Sequence, residues 1–241
     1  MRVVLSARDL KTILNAVNVL VSEARFRFTK QGLQIRAVDA ANVAMVIVNA
    51  GAEIFDRYIL ESETVLGVDV LRLANVSKSL DSRSLAELAV VNKMLSLSSG
   101  IMTYTVALID PDAIRKEPRL PNLDLAAEVV IGAGEFRKAI SAVDRVSDEV
   151  VFEKTDTGFR IAGAGDVESV AYTFGNSELI EVKDGKARAK YSLEYVKEFC
   201  RIANEATQLK IRFDSDNICW LTFEIRTGFG IEYILAPRVE R

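Results

Sequence analysis

The 241-residue chain contains no histidine. That removes the commonest general base and metal ligand, and with them Ser-His-Asp and Cys-His chemistry within one chain. Cysteine is nearly as scarce. Cys200 and Cys219 form no C-x-x-C pair, are too few for a metal cage, and read as filler rather than as a disulfide. Phosphate-binding glycine patterns are missing as well. "GFGIEY" at Gly228–Tyr233 has G-x-G but no third glycine, and within a strand pattern it reads as a turn. No metal and no cofactor are expected. No apolar run approaches the roughly 18–20 residues of a membrane span, and "MRVVLSARDL" carries no targeting signal, so a cytoplasmic place without a membrane partner is expected. Lysine and arginine total 31 against 34 acidic residues, a net charge of −3. A wholly basic DNA-binding domain is excluded, but a local basic patch is not.

What is present is a duplication. Asp9–Ile35 and Glu135–Ile161 align at a constant offset of 126, with identities Ala16/Ala142, Val17/Val143, Glu23/Glu149, Phe26/Phe152, Thr29/Thr155, Gly32/Gly158 and Ile35/Ile161. With one inserted residue the echo continues through Asp39/Asp166, Val43/Val170 and Ala44/Ala171, and the halves close alike on "LIDP" at Leu108 and "ILAP" at Ile234. So long a period is not that of a solenoid; it implies two domains of one fold, each of about 120 residues.

Each half carries two helix patterns among many strands. "DLKTILNAVNVL" places Leu10, Ile13, Leu14, Val17 and Leu20 on one face, and "EFRKAISAVDRV" repeats this with Phe136, Ala139, Ile140 and Val143. "VLRLANVSKSL" and "LEYVKEFCRIA" supply the second helices. Alternating runs such as "RFRF", "LQIRAV", "AMVIVNA", "MTYTVALI" and "WLTFEI" read as strands, with "TKQG", "KTDTG" and "VKDG" as turns between antiparallel partners. The expected class is α+β, antiparallel sheets with helices on one face. Three of the four prolines fall at 111, 118 and 121, within the polar "DPDAIRKEPRLPNLDLAAE". Proline removes a donor and biases its predecessor toward extended geometry, so this segment reads as a stiff connector. The expected organisation is a first domain over 1–110, a connector over 111–128 and a second domain over 129–241.

These features, with "RAVDAANVAMV" at Arg36, "GVDVLRLANVSKSL" at Gly67, "ALIDPDAIRKEPRLP" at Ala107, "GEFRKAI" at Gly134 and "YILAPRVE" at Tyr233, resemble the archaeal form of the proliferating-cell-nuclear-antigen type of sliding DNA clamp. The match runs through the whole chain in order. It departs at Ile218, where many clamps have proline, and at Asn18 and Asn75, where many have lysine. The resemblance implies three subunits closing a ring around duplex DNA, helices lining the hole and sheets outside, with no catalysis of its own. It implies polymerase, clamp loader, flap nuclease and ligase as partners, and a nucleoid-associated place in a cell without a nucleus. Tethering raises a partner's effective concentration and needs no chemistry in the clamp.

Two sets of residues follow. Lys11, Arg72, Lys78, Lys138, Arg145, Lys197 and Arg201 lie on or beside the predicted helices off their apolar stripes, and Arg83 follows the second helix. On pattern alone they form solvated faces; the resemblance implies that they line the hole and bind DNA. The four helical segments together carry +3 against −6 for the remainder, a split suited to phosphate attraction without base readout. Val38, Val43, Met45, Leu120, Ile218, Ile234, Leu235, Ala236 and Pro237 read on pattern alone as core; the resemblance implies that they border a pocket for a short partner peptide. Open edge strands are expected near Gly100–Leu108 and Glu168–Gly175. A carboxylate hydrolase would need an acidic loop cluster, and a sequence-reading regulator would need a recognition helix; the sequence offers neither. Within the family, one subunit of a heterotrimeric ring is the alternative to a homotrimer.

Overall fold

The computed structural model describes residues 1–120, 123–183 and 185–238. The chain divides into two units: Met1–Arg119 with Thr227–Ile231, and Leu120–Arg226 with Glu232–Arg241. The division falls inside the expected connector. That segment starts in a 3-10 turn at Pro111–Ala113 and ends in a strand that begins at Ala127; no regular element lies between them among the described residues, and Pro121 and Asn122 fall outside the description.

The first half of the chain runs β1 (Arg2–Ser6), α1 (Ala7–Asn18), β2 (Glu23–Thr29), β3 (Gly32–Val38), β4 (Ala44–Gly51), a 3-10 turn, β5 (Arg57–Ile59), β6 (Thr64–Asp69), α2 (Val70–Ser77), β7 (Leu85–Val91), β8 (Met94–Ser99) and β9 (Met102–Ala107). The second half repeats the order: β10 (Ala127–Gly132), α3 (Ala133–Val143), β11 (Glu149–Thr155), β12 (Gly158–Ala164), β13 (Ser169–Gly175), a 3-10 turn, β14 (Glu181–Val182), β15 (Ala187–Ser192), α4 (Leu193–Phe199), β16 (Gln208–Phe213), β17 (Cys219–Arg226) and β18 (Phe229–Leu235). Strand order repeats too. β5-β1-β7-β8-β9 matches β14-β10-β16-β17-β18, and β4-β3-β2-β6 matches β13-β12-β11-β15. The α+β reading and the duplication are therefore a single fact, visible at the level of topology.

Local chemistry explains where the echo is sharpest. α1 and α3 start 126 residues apart, and so do β2 and β11, and β3 and β12. The Gly32/Gly158 identity is steric. A Cβ at either would lie 2.1 Å from a carbonyl oxygen of the adjoining strand, Ala50 O or Phe174 O; Gly32 also has φ 135°, which side chains rarely adopt. α1 begins two residues before the apolar stripe suggests, because the Ser6 hydroxyl accepts the Asp9 amide at 3.0 Å and caps it. α4 ends earlier than its pattern, passing into a 3-10 turn at Cys200–Ile202. Apolar faces build each core. In the first unit Leu10, Ile13, Leu14 and Val17 are buried with Phe26, Phe28 and Ile35. In the second, Phe152 packs against Phe136, Phe159, Tyr191 and Phe213 at 5.3–6.1 Å, the separation of tilted and edge-on rings.

One sequence reading is corrected. "VKDG" does not turn a hairpin: Val182 lies in β14, which pairs with β10, whereas β15 after it pairs with β11 (Asp184 is outside the described residues). The "LIDP" and "ILAP" echoes do close the corresponding last strands, which end two residues apart in the alignment. Leu108 and Ile109 follow the end of β9, while Ile234 and Leu235 are the last residues of β18.

Candidate nucleic-acid interface and partner surface

In the first unit α1 and α2 pack against each other. Arg72, Lys78 and Arg83 are exposed, Arg83 at 92% of its side chain. Asp69 caps α2 by accepting the Arg72 amide at 2.9 Å and also holds the Arg72 guanidinium at 3.1 Å. Lys78 donates to Asn75 Oδ1 at 2.8 Å. Lys11 differs from these. It is half-buried, and its ammonium donates to the Leu80 carbonyl at 2.5 Å and to Ser82 Oγ at 3.2 Å, so its head serves the chain leaving α2.

The second unit repeats the scheme with more carboxylates. Lys138 pairs with Glu135 at 2.6 Å and Arg201 with Glu198 at 2.8 Å. Lys197 on α4 reaches Asp144, the residue that caps the C-terminus of α3, at 2.9 Å. That hydrogen bond and the Asp144 charge hold the Lys197 ammonium above its ordinary range. Arg145 is exposed. Two exposed helix cations were missed from sequence: Arg8, outside the helix as the apolar stripe bounded it, and Arg137, the duplicate of Lys11. Extending each helix to its cap would have found Arg8, and the 126-residue offset would have found Arg137.

The apolar set separates by burial. Val38 and Met45 are half-buried and stand directly opposite each other across β3 and β4; Val43 is half-buried in the turn between those strands. Leu120 is 37% exposed, and Ile218, Ala236 and Pro237 are half-buried. Leu235, by contrast, is fully buried and Ile234 is 6% exposed. For Leu235 the reading as core, which pattern alone gave, is the one its burial supports: a side chain with no accessible surface cannot touch a peptide.

Ion pairs fix the segments that carry this set. In the first unit Arg25 of β2 donates to the Ile114 carbonyl at 3.0 Å, and Arg27 meets Glu117 at 3.3 Å. Arg115 donates to the Asp39 carbonyl at 2.9 Å and to Asn42 Oδ1. In the second unit the Arg238 amide donates to the Lys190 carbonyl at 2.8 Å, and Glu149 binds both the Arg238 guanidinium at 2.9 Å and the Lys190 ammonium at 3.1 Å. Burial opposes ionisation of Glu149, but the two cations outweigh it and hold its carboxyl below the usual range. Cys200 and Cys219 are buried free thiols, and burial pushes Cys200 up to about 12.

These features define a class first: a duplicated α+β chain with cations on the exposed faces of its helices and a sheet in each unit whose end strand has no outer partner among the described residues. The chain matches the family models for the N-terminal domain of proliferating cell nuclear antigen over residues 4–99 and for its C-terminal domain over 119–238. It is 46% identical to a DNA polymerase sliding clamp of Archaeoglobus fulgidus, covering 99% of this chain and 98% of that one. A clamp of Methanothrix thermoacetophila is 37% identical, covering 100% and 99%. Among solved structures, Archaeoglobus fulgidus PCNA bound to the C-terminal region of FEN-1 aligns with a TM-score of 0.97 at 45% identity, covering 100% of this chain and 99% of that one. PCNA of Thermococcus kodakaraensis aligns at 0.91 and 26%, covering 98% and 99%. The chain belongs to the PCNA family of DNA polymerase sliding clamps.

Proposed function

We propose that this chain closes head-to-tail into a three-subunit ring around duplex DNA. The described strands leave six sheet ends, β5, β9, β14, β6, β13 and β15, and the observation that carries the proposal is that of these only β9 and β13 carry neither a charge nor a proline. β9 ends one sheet and β13 ends another, and no strand among the described residues pairs with the outer edge of either. Neither "MTYTVA" nor "SVAYTFG" contains a charge or a proline, the usual protections of an exposed edge. Pairing of unlike edges is heterologous, and such contacts give rings when the rotation closes. The exposed cations Arg72, Lys78, Arg83, Lys138, Arg145, Lys197 and Arg201 then line the hole and meet phosphates of any sequence; Lys11 contributes charge from a fixed position.

Partners dock by a short peptide with aliphatic and aromatic anchors, and its candidate contacts are Val38, Val43 and Met45 in the first unit and Leu120, Ile218, Ile234, Ala236 and Pro237 in the second. The relative bound to the C-terminal region of FEN-1 supports a flap nuclease as one such partner; polymerase, clamp loader and ligase are the others. The clamp works by tethering in the cytoplasm and turns over no substrate. Sedimentation across concentration, followed by polymerase processivity on a primed circular template, tests the reading. A monomer at every concentration, in a source that encodes no second clamp subunit, overturns it.

A further inference from the structure

Arg115 of the connector reaches the β3–β4 turn with its guanidinium. That turn has its own internal order. Asp39 Oδ1 accepts the amides of Val43 and Ala44 at 2.8 and 2.9 Å, and the Asn42 amide donates to the Asp39 carbonyl at 3.2 Å. Asn42 sits at φ 59°, the left-handed region that asparagine tolerates better than most residues. Arg115 grips both ends of this arrangement, the Asp39 carbonyl and the Asn42 side chain. Arg25 and Arg27, at Ile114 and Glu117, hold the chain on either side of it.

The geometry points to Arg115 as a latch, a positioning residue that orders the β3–β4 turn and the connector as one ledge before a partner peptide arrives. The inference rests on the partner-surface reading above, and it adds a specificity device to it. Val38 and Val43 lie at the two ends of the turn, so the apolar residues of this segment stand on backbone that the Arg115 guanidinium holds. A ledge ordered in advance spares the peptide the cost of ordering it. Lysine cannot reproduce the grip, because one ammonium replaces a planar fork that serves two acceptors in fixed directions.

The test uses the whole clamp and, as probe, a synthetic peptide copied from the C-terminal region of Archaeoglobus fulgidus FEN-1. R115A should bind it roughly tenfold more weakly, the scale of losing one charge-assisted hydrogen bond, with most of the change in the dissociation rate. R115K should fall between. N42G, which keeps the left-handed backbone and removes the acceptor, should weaken binding, and R115A/N42G should add little to R115A, because both act through one grip. Melting temperature and ring mass should not move. In R115A without peptide, the Val43 and Ala44 amides should lose protection from hydrogen exchange. Peptide affinity in R115A equal to wild type overturns the inference. So does additivity in the double variant. If R115A melts early, N42G and R115K carry the test, and wild-type affinity in both overturns it. If the wild-type clamp ignores the peptide, the partner-surface reading fails instead. The latch is then judged by exchange alone, and unchanged protection at Val43 and Ala44 overturns it.

Discussion

Replacing Thr105 with proline should open the ring without unfolding the protomer. The Leu108 amide donates to the Lys93 carbonyl at 3.1 Å, so it points toward β8. Strand residues alternate, which aims the amides of Met102, Tyr104 and Val106 at β8 and those of Thr103, Thr105 and Ala107 at the open side. On β13 the Asn176 amide points to Thr157 at 3.3 Å, which turns Ser169, Ala171 and Thr173 outward by the same argument. Three outward residues offer three donors and three acceptors, so a fully paired edge forms about six hydrogen bonds worth ~3–9 kcal/mol together. Proline at 105 deletes one donor, leaves a neighbour's carbonyl buried and unpaired, and costs ~1–3 kcal/mol at each interface. That is about ten- to a hundredfold in each contact's dissociation constant, repeated three times around the ring. Within the protomer the same change removes no bond to β8, and proline is tolerated on edge strands when its missing amide would face outward. Y104P should instead break the β8 ladder and lower the melting temperature. Sedimentation velocity from nanomolar to micromolar, with circular dichroism beside it, reads both effects. A T105P ring as stable as wild type would refute the assignment of this edge to the interface.

Alanine at Lys78, Lys138, Arg145 and Arg201 together should reduce processivity most at low salt and make its fall with rising salt shallower, while a single alanine changes little; equal loss in an outer-sheet control of the same charge change would deny the helices their place facing DNA. L120D should weaken peptide binding by ~2 kcal/mol or more by calorimetry without changing stability, whereas L235A should cost ~2–5 kcal/mol of folding stability in urea, because its side chain is core. Glu149 and Glu128 both have carboxyls held below their ordinary value, against their own burial, by lysine and arginine neighbours. Their stabilisation is present above the unfolded-state value and is lost as pH falls through the lower folded-state value. E149Q should therefore melt lower at neutral pH and lose less stability than wild type on acidification below about 4.5, and parallel curves would refute this.

How much of this was legible in the sequence differs by level. The duplication, four helices and α+β class were readable because period-3.6 stripes and paired glycine turns are local signals that survive without tertiary context. β1, β6, β7 and β10 gave weaker signals. "VVIG" and "VLGVD" each bury three consecutive residues, so they alternate poorly and resemble any apolar run. Sheet membership across "VKDG" was invisible, because a turn residue says that the chain bends and not where it goes next. At the site, identity was legible and state was not. The sequence names Lys11 as a cation, but only the folded chain shows its head committed to the Leu80 carbonyl. Leu235 illustrates the same limit, since its alternation with Ala236 cannot tell a pocket wall from a core floor.

The ion pairs on the helices bear on how a ring can hold DNA and still move. Six of the eight proposed DNA-facing cations already have a carboxylate or amide partner at 2.6–3.7 Å. Exposed pairs of this kind contribute roughly 0–1 kcal/mol, so exchanging Glu135 or Glu198 for a phosphate oxygen is close to neutral at each site. A set of cations with no partners would bind phosphate more tightly and release it more slowly. If these cations face DNA as proposed, the carboxylates flatten the profile along the duplex, because each lysine or arginine leaving one phosphate finds a partner before it meets the next. On this account, removing the acids should slow the ring: E135Q/E198Q is expected to raise DNA affinity at low salt and to reduce the one-dimensional diffusion constant of the loaded clamp in single-molecule tracking. Faster or unchanged diffusion at higher affinity would show that the carboxylates take no part in the exchange.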